Sequence, residues 1–292
     1  MIDHATLSSV EHDVTTALAR NDPSGLRILG YGEISLVVGW PLDTPQWACK
    51  RLPPFRSPDE ADTFRDTLDR YVAELARRGV SVVDTEVMTV PTTADELAVY
   101  CVQPVLPTPS LGVQVLRDDP ERGASLLEKI VATVLDVVDE RVGLDAQLSN
   151  WAWADGRLQY FDVTTPLLRR PDGTTELPTD VFLASLPWPA RAGVRRFVLP
   201  GIIERYHHPR SVVLDLAANL IKEHLDGGIP TVLATAGDRL DPPLTVEEIR
   251  RDYRSDARTW QLIQAARRAD RAWQTHVRRR TYPFLLPEHI ER

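Results

Sequence analysis

Residues 143–166 read GLDAQLSNWAWADGRLQYFDVTTP, and the folding of this stretch decides how the rest of the chain is understood. Asp155-Gly156 is a turn signal, because a tight hairpin needs positive φ, which glycine adopts freely and aspartate tolerates. Before it, Trp151 and Trp153 alternate with small residues; after it, Leu158, Tyr160 and Asp162 share one parity, which is the period of a strand. A two-residue turn at 155–156 sets residue 151 opposite 160 and leaves Asn150 diagonal to Asp162; a turn one residue longer sets those two directly opposite. Opposed Cβ atoms lie roughly 4.5–5.5 Å apart and diagonal ones somewhat farther, so the two side chains are neighbours either way. An amide oxygen and a carboxylate at that separation suit Mg²⁺, a hard cation that takes oxygen ligands. Asp145, just upstream, is placed to face an incoming hydroxyl. The stretch therefore reads as a phosphoryl-transfer centre.

The whole chain has the size and composition for such a site. Its 292 residues exceed one typical domain of about 150, so two lobes are expected. Apolar content of 43% and charge of 26% are those of a globular protein with a real core. A net charge of −8 argues against nucleic acid as partner. Cys49 and Cys101 are the only cysteines, too few for a disulfide framework, which fits a reducing cytoplasm. No run approaches the roughly 20 apolar residues of a membrane span, and the N-terminus shows no signal peptide, so no membrane association is expected.

Upstream, Leu7, Val10, Val14 and Leu18 recur at helical spacing, and Asn21-Asp22-Pro23 ends that helix. LRILGYGEISLVVGW, from Leu26 to Trp40, and then QWACKRLP predict three strands around a glycine pair. Ser57-Pro58-Asp59-Glu60 starts a helix with a capping box, its buried stripe is Phe64, Leu68, Tyr71 and Leu75, and Gly79 ends it. Strands are expected over Val80–Val90 and Leu97–Val102. The proline-rich piece Gln103–Pro109 is then a stiff connector, dividing an N-lobe at 1–103 from a C-lobe at 104–292. Helices are expected over Ala124–Val142, Val181–Ala184, Gly193–Tyr206, Ser211–Asp226 and Thr245 to about Arg280. This is an α+β plan, a small β-rich lobe followed by a larger helical one.

The N-terminal half supplies further parts in order. Gly30-Tyr31-Gly32-Glu33-Ile34-Ser35-Leu36-Val37 keeps two glycines and the valine of a G-x-G-x-x-G-x-V ribbon, with Ser35 in place of the third glycine. Ala48-Cys49-Lys50 follows as Ala-x-Lys, and Asp145, Asn150 and Asp162 stand as Asp-x₄-Asn and a strand-borne Asp. On these motifs the chain resembles the protein-kinase-like superfamily, most of all its aminoglycoside-phosphotransferase-like branch, over roughly residues 25 to 170. The resemblance implies a bilobal protein-kinase-like fold using ATP and Mg²⁺. Gly30, Gly32 and Ser35 would roof the phosphates with Val37 and Ala48 beside them, and Lys50 would hold the α and β phosphates. Backbone groups near Gln103 and Val105 would meet adenine, Asp145 would take the proton of the acceptor hydroxyl, and Asn150 and Asp162 would bind Mg²⁺.

The chain departs from that pattern in three further ways. Gly143 stands where the family has a histidine. Asp162 is followed by Val163-Thr164-Thr165-Pro166 rather than glycine or an acid. No Ala-Pro-Glu ending of an activation segment is present. The acid pairing Lys50 from the helix would be Asp66, Asp69 or Glu74. Farther on, ten arginines between Arg250 and Arg280 suit either an anionic substrate or leader peptide, or a surface helix with pairs such as Glu247–Arg251 and Glu248–Arg251. Trp260 and Trp273 are expected to pack that helix onto the lobe. His207 and His208 form either a metal pair or a helix end. The reading is a phosphotransferase acting on a small-molecule hydroxyl, with GTP an alternative donor. Its alternatives are a nucleotide-binding pseudokinase scaffold and a serine/threonine kinase acting on a precursor peptide.

Overall fold

Five short apolar runs of the N-terminal half pair into one antiparallel sheet. They are β1 (Ile28–Tyr31), β2 (Leu36–Trp40), β3 (Trp47–Arg51), β4 (Glu86–Pro91) and β5 (Leu97–Pro104), in spatial order β1-β2-β3-β5-β4. The computed structural model describes residues 2–32, 35–92, 96–154, 156–179, 183, 188–279 and 282. Glu33 and Ile34 of the glycine ribbon and Asp155 of the hairpin turn lie outside this set. So does the helix expected at Val181–Ala184, apart from Leu183.

Successive strand residues point to opposite faces, and the register sorts them. Gly30, Val37, Lys50, Cys101 and Val87 form one row across all five strands. Ala48 and Gln103 share that face two residues along. The opposite face carries Leu36, Val38, Cys49, Tyr100 and Val102, and packs with Leu7, Val10 and Val14 of helix α1 (His4–Arg20). Asp3 caps α1 by accepting from the Thr6 amide at 2.7 Å, and Asn21 ends it in the left-handed conformation. Within this apolar layer lies a buried charge pair. Arg51 donates to both oxygens of Glu11 at 2.7 and 2.8 Å, and the Tyr100 hydroxyl donates to Glu11 at 2.6 Å. Such a bidentate pair is tolerated in a core because the two charges hydrogen-bond one another.

Helix α2 (Pro58–Arg77) begins as expected, with Ser57 Oγ accepting from the Glu60 amide at 3.2 Å. The Glu60 carboxylate reaches past the cap to the Arg56 amide at 2.8 Å, so the capping box is not closed. Phe64, Leu68, Tyr71 and Leu75 are buried as the spacing predicts. The strand expected from Val80 begins only at Glu86. Residues 80–85 form an extended clamp instead: the Val83 amide donates to Tyr160 O at 2.9 Å and the Tyr160 amide to Ser81 O at 2.8 Å. The backbone groups that would have extended β4 are used against the other lobe.

Among the described residues beyond β5 the regular structure is mostly helical, with one two-stranded hairpin. Two helices, α3 (Gly112–Asp118) and α4 (Pro120–Val137), replace the single helix expected at Ala124–Val142. Asp119 caps α4 and Pro120 takes its first turn; the Asp139 carboxylate accepts from the Arg141 and Val142 amides and holds the chain out of the helix thereafter. Leu127, Ile130, Val131 and Val134 are fully buried. Then follow α5 (Trp188–Gly193), α6 (Leu199–Arg205), α7 (Pro209–Lys222), α8 (Ile229–Ala236, unmarked in the sequence) and α9 (Val246–Ala272). Thr245 and Glu248 close a capping box on α9. Trp273 is 53% exposed, so it does not pack the helix down; the Trp260, Arg258 and Arg280 side chains lie outside the described residues. Among the described residues no helix is long and apolar enough to cross a membrane. The molecule is thus α+β, with a sheet-bearing N-terminal region and a helical C-terminal one.

Candidate active site

Strands β6 (Trp151–Ala154) and β7 (Arg157–Tyr160) pair Trp151 with Tyr160 and Ala154 with Arg157, the register that the turn signal predicts. Gly156 has φ of 73°. The Trp151 and Tyr160 rings, both buried, lie 4.9 Å apart between centroids and anchor the hairpin. One residue on, the Phe161 amide donates to Asn150 O at 3.0 Å, so Asn150 lies beside Phe161 and diagonal to Asp162.

Asp162 is met from the other lobe. Lys50 Nζ donates to Asp162 Oδ1 at 2.6 Å. Thr164 donates to the same oxygen through its hydroxyl at 2.7 Å and its amide at 3.4 Å. Burial by itself would raise the Asp162 carboxyl; the Lys50 charge and these hydrogen bonds overcome it and hold the group below its ordinary 3.8. Thr164, which stands in the segment that departs from the family, is thus what steadies the acid. No acid of α2 fills this role: Asp66 and Asp69 are exposed, and Glu74 binds Arg77 and Arg78. The helix instead sends Tyr71, whose hydroxyl donates to Gly143 O at 3.0 Å.

The loop holding Asp145 is braced on every side. Asn150 is buried and its Nδ2 donates to Asp145 O at 3.1 Å, while the Gln147 amide donates to Asp145 Oδ1 at 3.3 Å. Gln147 is itself fixed by α7, donating to Asp215 Oδ2 at 3.2 Å and accepting from Asn219 Nδ2 at 3.2 Å. Arg205 joins Asp215, at 3.7 Å, to Asp252 of α9, at 2.9 Å. Gly143 explains its own departure from the family pattern. A Cβ there would lie 2.9 Å from Tyr206 O, 3.0 Å from Leu167 Cβ and 3.1 Å from His207 Cε1, so no histidine fits. The Gly143 amide donates to Leu167 O at 2.8 Å and that of Leu144 to Tyr206 O at 3.1 Å. His207 is buried with Nδ1 against Ile203 O at 3.0 Å, and His208 is the cap residue of α7, bonded to Glu204. The two rings do not form a metal pair.

On the sheet side, the Gly32 amide donates to Ser35 O at 2.9 Å and closes the ribbon's tip. A Cβ on Gly30 would meet nothing within 4 Å, so internal packing does not require glycine there. The Gln103 side chain donates to Thr85 Oγ1 and Phe161 O, both at 2.7 Å, bolting the sheet to the residue before Asp162. The Val105 amide donates to Gln46 O at 2.9 Å; it is engaged within the protein rather than presented to a base. Val37 and Ala48 lie on the Lys50 face of the sheet. Residues that sequence reasoning missed are Tyr71, Thr164, Gln147, Asp215 and Asn219. Tyr71 was visible only as a core residue, and Asp215 and Asn219 join Gln147 from 68 and 72 residues away, with no local pattern to mark them.

The donor set fits a hard cation. The Asn150 Nδ2 is held by Asp145 O, and the described hydrogen bonds to Asp162 all fall on Oδ1.

A family model described as a family of unknown function (DUF6206) matches residues 9–271. No curated protein matches the chain. Among solved structures the chain is similar to WaaP in complex with acyl carrier protein, at 14% identity and a TM-score of 0.37, covering 83% of this chain and 88% of that one. It is also similar to a variant of the PknI kinase domain of Mycobacterium tuberculosis, at 16% and 0.34 with 77% and 80% covered. A MAP kinase from Leishmania major gives 12% and 0.31 with 83% and 90% covered.

Proposed function

The chain belongs to the DUF6206 family, and we propose that it is an ATP- and Mg²⁺-dependent phosphotransferase acting on a hydroxyl group of a small molecule. The observation that supports this reading is the 2.6 Å contact between Lys50 and Asp162, a pair that would serve as phosphate-binding cation and metal-binding carboxylate. Asp145 lies in the loop just before the same hairpin, tied to Asn150.

In the proposed reaction the acceptor oxygen forms a bond to the terminal phosphorus as the bond from phosphorus to the ADP oxygen breaks. Asp145 accepts the acceptor's proton. Lys50 shifts from Asp162 to the α and β phosphates, while the ribbon of Gly30, Gly32 and Ser35, its tip closed by the Gly32 amide on Ser35 O, approaches them closely because its glycines carry no Cβ. Asn150 and Asp162 would hold Mg²⁺, which supplies charge neutralisation on the phosphate oxygens. Tyr71, Gln147 and Asn219 hold the Asp145 loop still, so that positioning and electrostatics do most of the work.

The test uses purified full-length chain with ATP and Mg²⁺, ADP release as the readout, and a panel of hydroxylated small molecules. ATP with Mg²⁺ should raise the melting temperature, and an acceptor should accelerate ADP release. Asp145→Ala should cut turnover by about 10²–10⁴-fold with nucleotide binding retained. A wild-type chain that binds no nucleotide overturns the reading; one that binds but transfers to no acceptor leaves the scaffold alternative standing in its place.

A further inference from the structure

We propose that the helical lobe carries a second binding site, for a small amphipathic anion, in the cavity between α7, α8 and α9. The cavity encloses about 420 Å³, within the range of small-molecule pockets. Ile221 of α7, Ile229 of α8, and Val246 and Tyr253 of α9 supply apolar wall. Arg250 and Arg254, one turn apart on α9, supply the charge against the single acid Asp226.

Those two arginines differ from their neighbours on the same helix. Arg251 pairs with Glu247 at 3.6 Å, and Glu248, expected to meet Arg251, is taken by Arg210 at 2.9 Å. Arg250 and Arg254 are exposed, and among the described residues neither pairs with an acid; Arg254 Nε donates only to Arg250 O, at 3.1 Å. In a chain of net charge −8, two guanidinium groups against the one carboxylate of Asp226 make the mouth of this apolar cavity locally positive. A carboxylate or phosphate satisfies them both, with bidentate geometry available to each, while an apolar body fills the cavity and leaves water. A cation is repelled, and a neutral molecule of the same shape leaves the arginines as they were. The arginine-rich tail thereby splits into two parts, one an ion-paired surface and the other a ligand mouth.

The site lies on two helices, α7 and α9, that also carry the brace on Asp145. Ile221 lines the cavity two residues after Asn219, which holds Gln147, and Tyr253 lines it next to Asp252, which holds Arg205. The binding inference does not rest on the phosphotransfer reading, and it is tested without nucleotide. Isothermal titration and thermal shift of the full chain should show saturable binding of decanoate or decyl phosphate, the two arms separating a carboxylate from a phosphate head. Decanol and decyltrimethylammonium should bind at least about tenfold more weakly. The Arg250→Glu/Arg254→Glu double variant, altered only at exposed positions, and the cavity-filling Val246→Trp should each lose tenfold or more while melting, unliganded, near the wild-type temperature. Binding of decanol as tight as that of the anions overturns the proposal. So does affinity unchanged in the double variant, or the absence of saturable binding by either anion.

Discussion

Lys50 and Asp162 stand 112 residues apart in the chain and meet at 2.6 Å, on a row of the sheet that runs through Gly30, Val37 and Cys101. Both side chains keep partial solvent access, so the pair itself adds only about 1 kcal/mol to stability. Lys50→Ala should therefore fold nearly as well as wild type and lose most of the stabilisation that ATP with Mg²⁺ provides. Urea denaturation and nucleotide thermal shift, run side by side, measure the two. A variant that still responds fully to ATP removes Lys50 from the phosphate site.

Two glycines should respond in opposite ways. Gly143→Ala drives a methyl against the backbone oxygen of Tyr206, an overpacking cost of about 1–3 kcal/mol, and should lower the melting temperature by several degrees. Gly30→Ala meets nothing within 4 Å and should leave the fold as stable as before, yet weaken nucleotide binding by crowding the phosphates. Unaltered ATP affinity in Gly30→Ala would show that the ribbon roofs no ligand.

His207 gives a pH signature. Burial holds its ring below the ordinary 6.5, with Arg169 and Glu204 the charged groups acting on it. The folded state thus keeps the ring neutral where the unfolded chain binds a proton. Its contribution to stability is complete above 6.5 and is lost as pH falls from there through the depressed folded value. Denaturation midpoints measured from about pH 8 to about pH 5 should fall more for wild type than for His207→Gln. Parallel curves would mean that the ring does not titrate on unfolding.

The buried triad of Glu11, Arg51 and Tyr100 should be the most sensitive polar site in the N-terminal region. Glu11→Ala strands a guanidinium that is almost wholly shielded from water and should cost about 3–5 kcal/mol. Replacing both charges, as Glu11→Leu with Arg51→Met, should recover most of that loss. Chemical denaturation decides it: a double variant as unstable as the single one would show that the apolar surroundings cannot close over the gap.

The hairpin around residues 155–156 was legible because its signals are local. Turn chemistry and side-chain parity lie within twenty residues, and the Trp151–Tyr160 register follows from them. The capped start of α2 and its buried stripe were readable for the same reason. The segment 80–85 was not, since valine-rich sequence suits a strand whichever partner accepts its hydrogen bonds, and here that partner is Tyr160 rather than β5. Glu74 read as a candidate for Lys50 because helical spacing says which residues share a face and not which face the other lobe meets.

Sequence alone determined the order of the parts: glycine ribbon, Ala-x-Lys strand, capped helix, Asp-x₄-Asn loop and hairpin acid, each set by turns and periodicities a few residues long. The tertiary structure alone decided who pairs with whom. Asp162 rather than a helix acid takes Lys50, Tyr71 and the backbone at Leu167 grip Gly143, and Glu11 neutralises Arg51. Such pairings join charges and carbonyls tens of residues apart, and their strength depends on desolvation, which exists only once the lobes have closed around them.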